Sequence, residues 1–317
     1  MKLSIIIPVY NTAPFLKKCI ESCIDQNISN NDYEIILIND GTTDNSHDIC
    51  ESYKNAYSNI HYLIQENSGQ SVARNNGVDK AVGNYIWFVD SDDWVESNCL
   101  SSILNMCETN TLDILRIGFK KINDEYTDIA KTELEPKTLI IANNREILKT
   151  DFVFGPPLHI FRRAFLTDNR LSFYPNIFHE DNEFTPKALY YAKRIGITET
   201  IYYYYYTRMG STTKSVNPKK CFDLLIVCHN LMVLSEEVED DIKPYINNVI
   251  STSFNSLLSY SREIDPLSKV KLKRQIALNT DIFDHMKKSK KIKFKIEGLI
   301  FSLFPNNVLK IYELVKR

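Results

Sequence analysis

Three carboxylates fall within four residues at Val89-Asp90-Ser91-Asp92-Asp93-Trp94, directly after an apolar run that begins at Tyr85. Carboxylates crowded in this way repel one another unless positive charge neutralises them. A hard divalent cation with oxygen ligands does so, and Mg²⁺ in particular is held by one or two carboxylates together with substrate phosphates. The plainer reading is an acidic turn that caps the next helix, since Asp favours such positions. A second acidic group, Phe178-His179-Glu180-Asp181-Asn182-Glu183-Phe184, has the same two readings: a carboxylate able to take a proton, or an acidic helix start. Position in the fold decides between them.

The first hundred residues alternate strand and helix. Leu3 to Val9 is a nearly continuous β-branched run, as in a strand buried on both faces. Thr12 to Asp25 reads as a helix, with Pro14 in its first turn and Phe15, Leu16, Cys19, Ile20 and Cys23 at helical spacing. Strands follow over 33–38, 60–64 and 85–89, with helices over 43–56 and 71–81 between them. This βαβαβαβ order predicts a mostly parallel α/β sheet with helices on both faces. Ligands of such sheets bind beyond the carboxyl ends of the strands. Each strand here ends in polar groups: Tyr10 and Asn11, Asn39 and Asp40, Glu66 and Asn67, then Asp90 to Asp93. That placement favours function over capping.

Further on, strands are predicted over 113–120 and 201–206 and helices over 143–149 and 183–192. The stretch 123–136 reads as a polar loop or hairpin. From residue 217 the pattern is helical, over 224–238, 245–260 and 267–278. The domains expected are 1–213 and a mainly helical region over 214–317.

Composition narrows the function. The 317 residues carry 38 Lys plus Arg against 40 Asp plus Glu, a net charge of −2, so no general nucleic-acid binder is expected. The seven cysteines include no C-x-x-C pair, which points to reduced thiols in a cytosolic protein, with Cys19 and Cys23 packed in the core. No secretory signal or membrane-spanning run is visible, and a cytoplasmic chain is expected. No zinc spacing, P-loop or dinucleotide glycine motif occurs.

Four motifs, taken together, resemble family 2 glycosyltransferases with the GT-A fold. They are Ile5-Ile6-Ile7-Pro8-Val9-Tyr10-Asn11, Ile38-Asn39-Asp40-Gly41-Thr42-Thr43-Asp44, Asn67-Ser68-Gly69-Gln70-Ser71-Val72-Ala73-Arg74-Asn75, and the stretch from Gly83 to Trp94. The resemblance covers roughly residues 1–215 and implies a role for each position. Pro8, Tyr10 and Asn11 line the nucleotide pocket, and Asp40 binds the base, typically uracil. Arg74 and the Asn67–Gln70 turn border base and ribose. Asp90 lies near the ribose or sugar with Ser91 beside it on the donor, Asp93 orients this loop or touches the donor sugar, and Asp92 holds Mn²⁺ or Mg²⁺ on the diphosphate. Glu180 and Asp181 resemble the family's acidic pair, with Asp181 as general base. Arg208, Ser211 and Lys214 resemble the family's closing loop and would reach the diphosphate. The family's usual lysine near residue 159 is replaced by His159, which reads as structural.

The activity implied is inverting transfer of a sugar, most simply from a UDP-sugar, to a hydroxyl of a growing glycan. A nucleotidyltransferase would need a basic glycine-rich loop after the first strand, and 8–12 is not one. A non-catalytic scaffold of a glycan-assembly complex need not keep Asp90, Asp92 and Asp181. The stretch 286–296 holds six lysines and no acid, followed by apolar segments over 298–304 and 308–315. Two readings stand open there: contact with an anionic membrane, which suits a lipid-linked acceptor, or a helix on the protein's own core with a solvated lysine face.

Overall fold

The computed structural model describes residues 1–123, 138–207 and 216–315. The expected polar loop over 123–136 lies outside them from residue 124 on, as do Arg208, Ser211 and Lys214. The chain divides into two compact units, interleaved in sequence rather than parted by one cut. The first is Met1–Asn144, Val153–Asn176 and Tyr191–Ser211; the second is Arg145–Phe152, Ile177–Tyr190 and Thr212–Arg317.

The first unit opens with the expected alternation: β1 (Leu3–Val9), α1 (Ala13–Ile24), β2 (Tyr33–Asp40), α2 (Ser46–Ala56), β3 (Ile60–Gln65), α3 (Gln70–Lys80) and β4 (Tyr85–Phe88). These strands run parallel in the order β3-β2-β1-β4, with Ile5 opposite both Ile35 and Trp87. Every residue of β2 is buried, as an apolar strand covered on both faces must be. Helix α1 turns Leu16, Cys19, Ile20 and Cys23 into that core. All seven cysteines are free and buried.

Beyond β4 the sheet becomes mixed. The elements are β5 (Trp94–Val95), α4 (Leu100–Thr109), β6 (Ile114–Ile122), β7 (Ile140–Ala142), α5 (Asn144–Leu148), a 3-10 turn at Pro156–Leu158, β8 (His159–Arg162), α6 (Arg163–Asp168), α7 (Glu180–Tyr191) and β9 (Ile195–Tyr206). The order continues β4-β8-β6-β9-β5, with β7 also on β9. Strand β8 is antiparallel to β4 and β6, while β6 and β9 are parallel. Strand β9 starts six residues before the predicted 201, because Thr198 and Thr200 are buried where alternation would call for apolar residues. Their hydroxyls satisfy each other at 2.9 Å.

His159 stands in this core. Its Nδ1 lies 3.1 Å from the Gly155 carbonyl, and its Nε2 is buried with no hydrogen-bond partner among the described residues. A neutral ring with the proton on Nδ1 satisfies that arrangement, whereas an imidazolium would bury a second N–H. Burial lowers its pKa to about 4. The unfolded chain therefore binds one more proton between roughly pH 4 and 6.5, so stability is full above that window and falls as pH drops through it. Between pH 7.5 and 5 the wild type is expected to lose about 2 kcal/mol more stability than His159→Phe. Chemical denaturation at both pH values checks this; equal losses would remove His159 as the cause.

The second unit contains α8 (Lys219–Glu237), α9 (Lys243–Tyr260), α10 (Pro266–Leu278), α11 (Asp281–Lys287), α12 (Ile292–Leu303) and α13 (Val308–Val315). Helix α8 packs along α9, and α11 packs on both α9 and α12. Phe254, Phe283 and Phe301 interlock with ring centroids 5.7–6.1 Å apart, which seats α12 on the core. Gly298 permits the close approach: a Cβ there would stand 2.7 Å from Met286 Cβ and 2.9 Å from the Phe283 carbonyl oxygen.

Candidate active site

The carboxyl ends of β1, β2 and β4 carry the predicted polar residues, and hydrogen bonds tie their loops together. Asn11, after β1, has a positive φ of 51°, a conformation Asn tolerates better than most residues. Its Oδ1 accepts from Thr42 Oγ1 at 2.9 Å and from the Thr43 N–H at 2.8 Å, while its own N–H donates to Thr42 Oγ1. Asp44 adds a second tie, accepting from the Ala13 N–H, the Ser46 N–H and Thr42 Oγ1. Burial alone would raise the Asp44 pKa, but these bonds win and bring it to about 2. Tyr10 projects beside this junction, 49% exposed.

Asp40 ends β2 fully buried. Its Oδ1 accepts from Gln65 Nε2 and the Ser68 N–H, both at 2.7 Å, and its Oδ2 accepts from the Gly69 N–H at 2.8 Å. Asp40 thereby shapes the 67–70 turn that leads into α3, where Asn67 and Gln70 are exposed. A carboxylate offers about four acceptor sites, so one remains on Oδ2 for a donor N–H. Gly41 is required beside it: φ is 72° and a Cβ would stand 2.9 Å from the Asn67 nitrogen.

The three carboxylates after β4 have different surroundings. Asp90 Oδ1 accepts from Arg74 Nη2 at 2.8 Å, and the Arg74 guanidinium is buried over the Phe173 ring. Asp93 is buried; its Oδ2 accepts the Tyr203 hydroxyl at 2.5 Å and its Oδ1 accepts the Tyr206 N–H at 2.7 Å. Burial, and then the charge of Asp90, push Asp93 up to about 8. Asp92, between them, is half-buried, and the buried Ser91 receives a hydrogen bond from Thr12. Among the described residues no group of three His, Cys, Asp or Glu forms a metal cage. One or two carboxylate oxygens of this loop could hold a hard cation that completes its shell with phosphate and water oxygens.

Tyr203 was not singled out in the sequence, yet its hydroxyl holds both ends of this loop, donating to Asp93 and accepting the Asp90 N–H at 3.2 Å. The signal was the tyrosine run 202–206, whose register on β5 sets Tyr203 opposite Val95 and Tyr204 opposite Trp94. Trp94 stacks on Tyr204, with Lys18 Nζ 3.1 Å from its ring centroid.

Glu180 and Asp181 start α7 in the second unit, with Glu183 adding a third acid to the first turn. Glu180 is buried. Asp181 is half-buried and its Oδ1 accepts the Asn182 N–H at 3.0 Å. His179 precedes them with φ 62°, its ring 5.2 Å from that of Tyr260, and burial lowers its pKa. Asp223 fixes this approach by accepting the Phe178 N–H at 2.8 Å and Lys219 Nζ at 2.6 Å.

Comparison with known proteins agrees with the motifs. Residues 4–169 match the family model described as glycosyl transferase family 2. The chain is 34% identical over 257 residues to the Bacillus subtilis glycosyltransferase EpsJ, covering 77% of this chain and 74% of that one. It is 33% identical over 223 residues to a poly(ribitol-phosphate) beta-glucosyltransferase of Bacillus spizizenii, covering 68% of this chain but only 34% of that protein. Among solved structures, Staphylococcus aureus TarS 1–349 in complex with UDP-GlcNAc superposes with a TM-score of 0.72 at 21% identity, covering 99% of this chain and 92% of that one. The likeness to TarS shows a shared GT-A fold, and the family match over residues 4–169 together with the likeness to EpsJ establishes that this chain belongs to glycosyl transferase family 2.

Proposed function

We propose that this chain is an inverting, metal-dependent glycosyltransferase that moves a hexose or N-acetylhexosamine from UDP to a hydroxyl of a growing glycan, free or lipid-linked. The observation that carries the reading is the loop after β4, where Arg74 fixes Asp90 and Tyr203 fixes Asp93, so that Asp92 is presented on a rigid frame. Asp92 would hold Mn²⁺ or Mg²⁺, which when bound supplies charge neutralisation at the diphosphate. Asp40 keeps the 67–70 turn in shape and has an acceptor site left for a uracil N–H, while Pro8, Tyr10 and Asn11 border the nucleotide. Asn67, Gln70 and Arg74 would frame base and ribose, and Ser91, Arg208 and Ser211 complete the donor contacts. The uridine nucleotide bound in the TarS structure supports this choice of donor.

In the reaction the acceptor oxygen forms a bond to the anomeric carbon as the bond from that carbon to the diphosphate oxygen breaks. The electron pair leaves with UDP, and the acceptor proton passes to Asp181, with Glu180 beside it. Attack opposite the leaving group inverts the anomeric centre. A sugar hydroxyl is a poor nucleophile near neutral pH, and removing its proton during attack is worth about 10²–10⁴-fold. A cytoplasmic position at the inner face of the plasma membrane fits a lipid-linked acceptor.

Incubation with a panel of UDP-hexoses and UDP-N-acetylhexosamines, without acceptor, tests the reading. One donor is expected to release UDP slowly, and only with Mn²⁺ or Mg²⁺ present. A folded protein that releases no UDP from any of them would be a non-catalytic member of a glycan-assembly complex.

A further inference from the structure

Helix α12 is apolar on two opposite sides. Phe294, Gly298 and Phe301 form the inner stripe and are buried. Ile292, Ile296, Leu299 and Leu303 recur at steps of four, three and four, which places them in one line on the outer side. All four are exposed, from 53% to 72%, and Phe304 at the helix end is 53% exposed. At 1.5 Å per residue the line is about 16 Å long. Single exposed aliphatic residues are ordinary, but a continuous apolar line is not.

The charges around it are one-sided. Lys287, Lys288, Lys290, Lys291, Lys293 and Lys295 fall within nine residues, with no acid from 285 to 296, although the whole chain carries a net charge of −2. At 3.6 residues per turn Lys293 and Lys295 flank the apolar line on opposite sides. Lys287 pairs with Asp284, Lys291 with Asp151, and Lys293 reaches Glu297, whereas Lys288, Lys290 and Lys295 make no ion pair among the described residues. Among those residues no helix is long and apolar enough to cross a membrane.

We infer that the outer face of α12 docks in the plane of an anionic lipid bilayer, with Ile292, Ile296, Leu299, Leu303 and Phe304 entering the acyl boundary and the lysines meeting headgroup phosphates. Charge selects this occupant. A second copy of the chain in a symmetric pairing would bring Lys288, Lys290 and Lys295 against the same three lysines, while an anionic headgroup layer neutralises them. Lysine stems on both flanks reach outward to headgroups while the line between them stays apolar, which suits a flat lipid surface.

The experiment is vesicle flotation of the full chain at 0.15 M salt, with phosphatidylcholine vesicles containing 30% phosphatidylglycerol and with phosphatidylcholine alone (about one Debye length of 8 Å applies at that salt). The wild type is expected to float with the anionic vesicles and not with the neutral ones. Lys290→Gln with Lys295→Gln is expected to weaken partition by about 25-fold, at roughly fivefold per lysine. Leu299→Glu with Leu303→Glu is expected to weaken it at least tenfold. All four positions are exposed, and a circular dichroism melt identifies any variant that fails to fold; Ile296→Gln alone then carries the apolar arm. Absence of flotation by the folded wild type would overturn the proposal. So would unchanged flotation of the folded variants, or a concentration-dependent dimer that Leu299→Glu abolishes while no vesicle is bound. No nucleotide is present, so the outcome is independent of whether the donor site has been read correctly.

Discussion

Asp181→Asn is expected to bind donor as the wild type does and to transfer sugar about 10²–10⁴-fold more slowly. The substitution keeps the size of the side chain and an oxygen able to accept the Asn182 N–H, so the start of α7 is retained. What it removes is the group proposed to take the acceptor proton. Because donor recognition is assigned to the loops after β1, β2 and β4, the donor Kd stays unchanged while kcat falls. The two quantities are read separately, by calorimetric titration with UDP and by product formation with acceptor present. Turnover within a few-fold of wild type would move the base elsewhere, and Glu180, buried one residue earlier, would be the next carboxylate to test.

Much of the first unit is legible because its signals are local. Strands β1 and β2 announce themselves by isoleucine-rich apolar runs, and the polar residues that end them are adjacent in sequence to the strands that position them. Asp90 to Asp93 are legible as a group for the same reason. What escapes a linear reading is partnership. Tyr203 lies 110 residues from Asp93, and nothing near either shows that one hydroxyl closes the loop. Asp40 reads as a ligand contact, yet two of its acceptor sites hold the backbone of a turn 28 and 29 residues away. Strand β8 has four residues between a Pro-Pro turn and a helix, too few for any period to show. Helix α4 carries a readable spacing in Leu100, Ile103, Leu104 and Cys107. The outer stripe of α12 is a different case: its spacing is visible in the sequence, but that it lies opposite a packed inner stripe, and is exposed, emerges only from the fold.

The second large effect concerns Asp92, and it bears on the central claim that the loop after β4 holds a nucleotide diphosphate through a divalent cation. Asn at this position keeps the shape of the side chain and removes the charge. The locks on either side, Arg74 to Asp90 and Tyr203 to Asp93, do not involve the Asp92 carboxylate, so the fold should be nearly unchanged. Affinity for UDP in the presence of Mn²⁺ is expected to fall at least a hundredfold. Ligand that binds only the native state stabilises it by RT ln(1 + [L]/Kd), about 2.7 kcal/mol at a hundredfold excess over Kd. The measurement to make is therefore thermal unfolding of wild type and Asp92→Asn, side by side, with UDP alone, Mn²⁺ alone and both together. The expected result is a rise in Tm for the wild type that requires both ligands and is absent from Asp92→Asn, with equal Tm values for the two proteins without ligand. An equal metal-dependent rise in both proteins would contradict the assignment of Asp92, and no rise with any nucleotide would contradict the function itself.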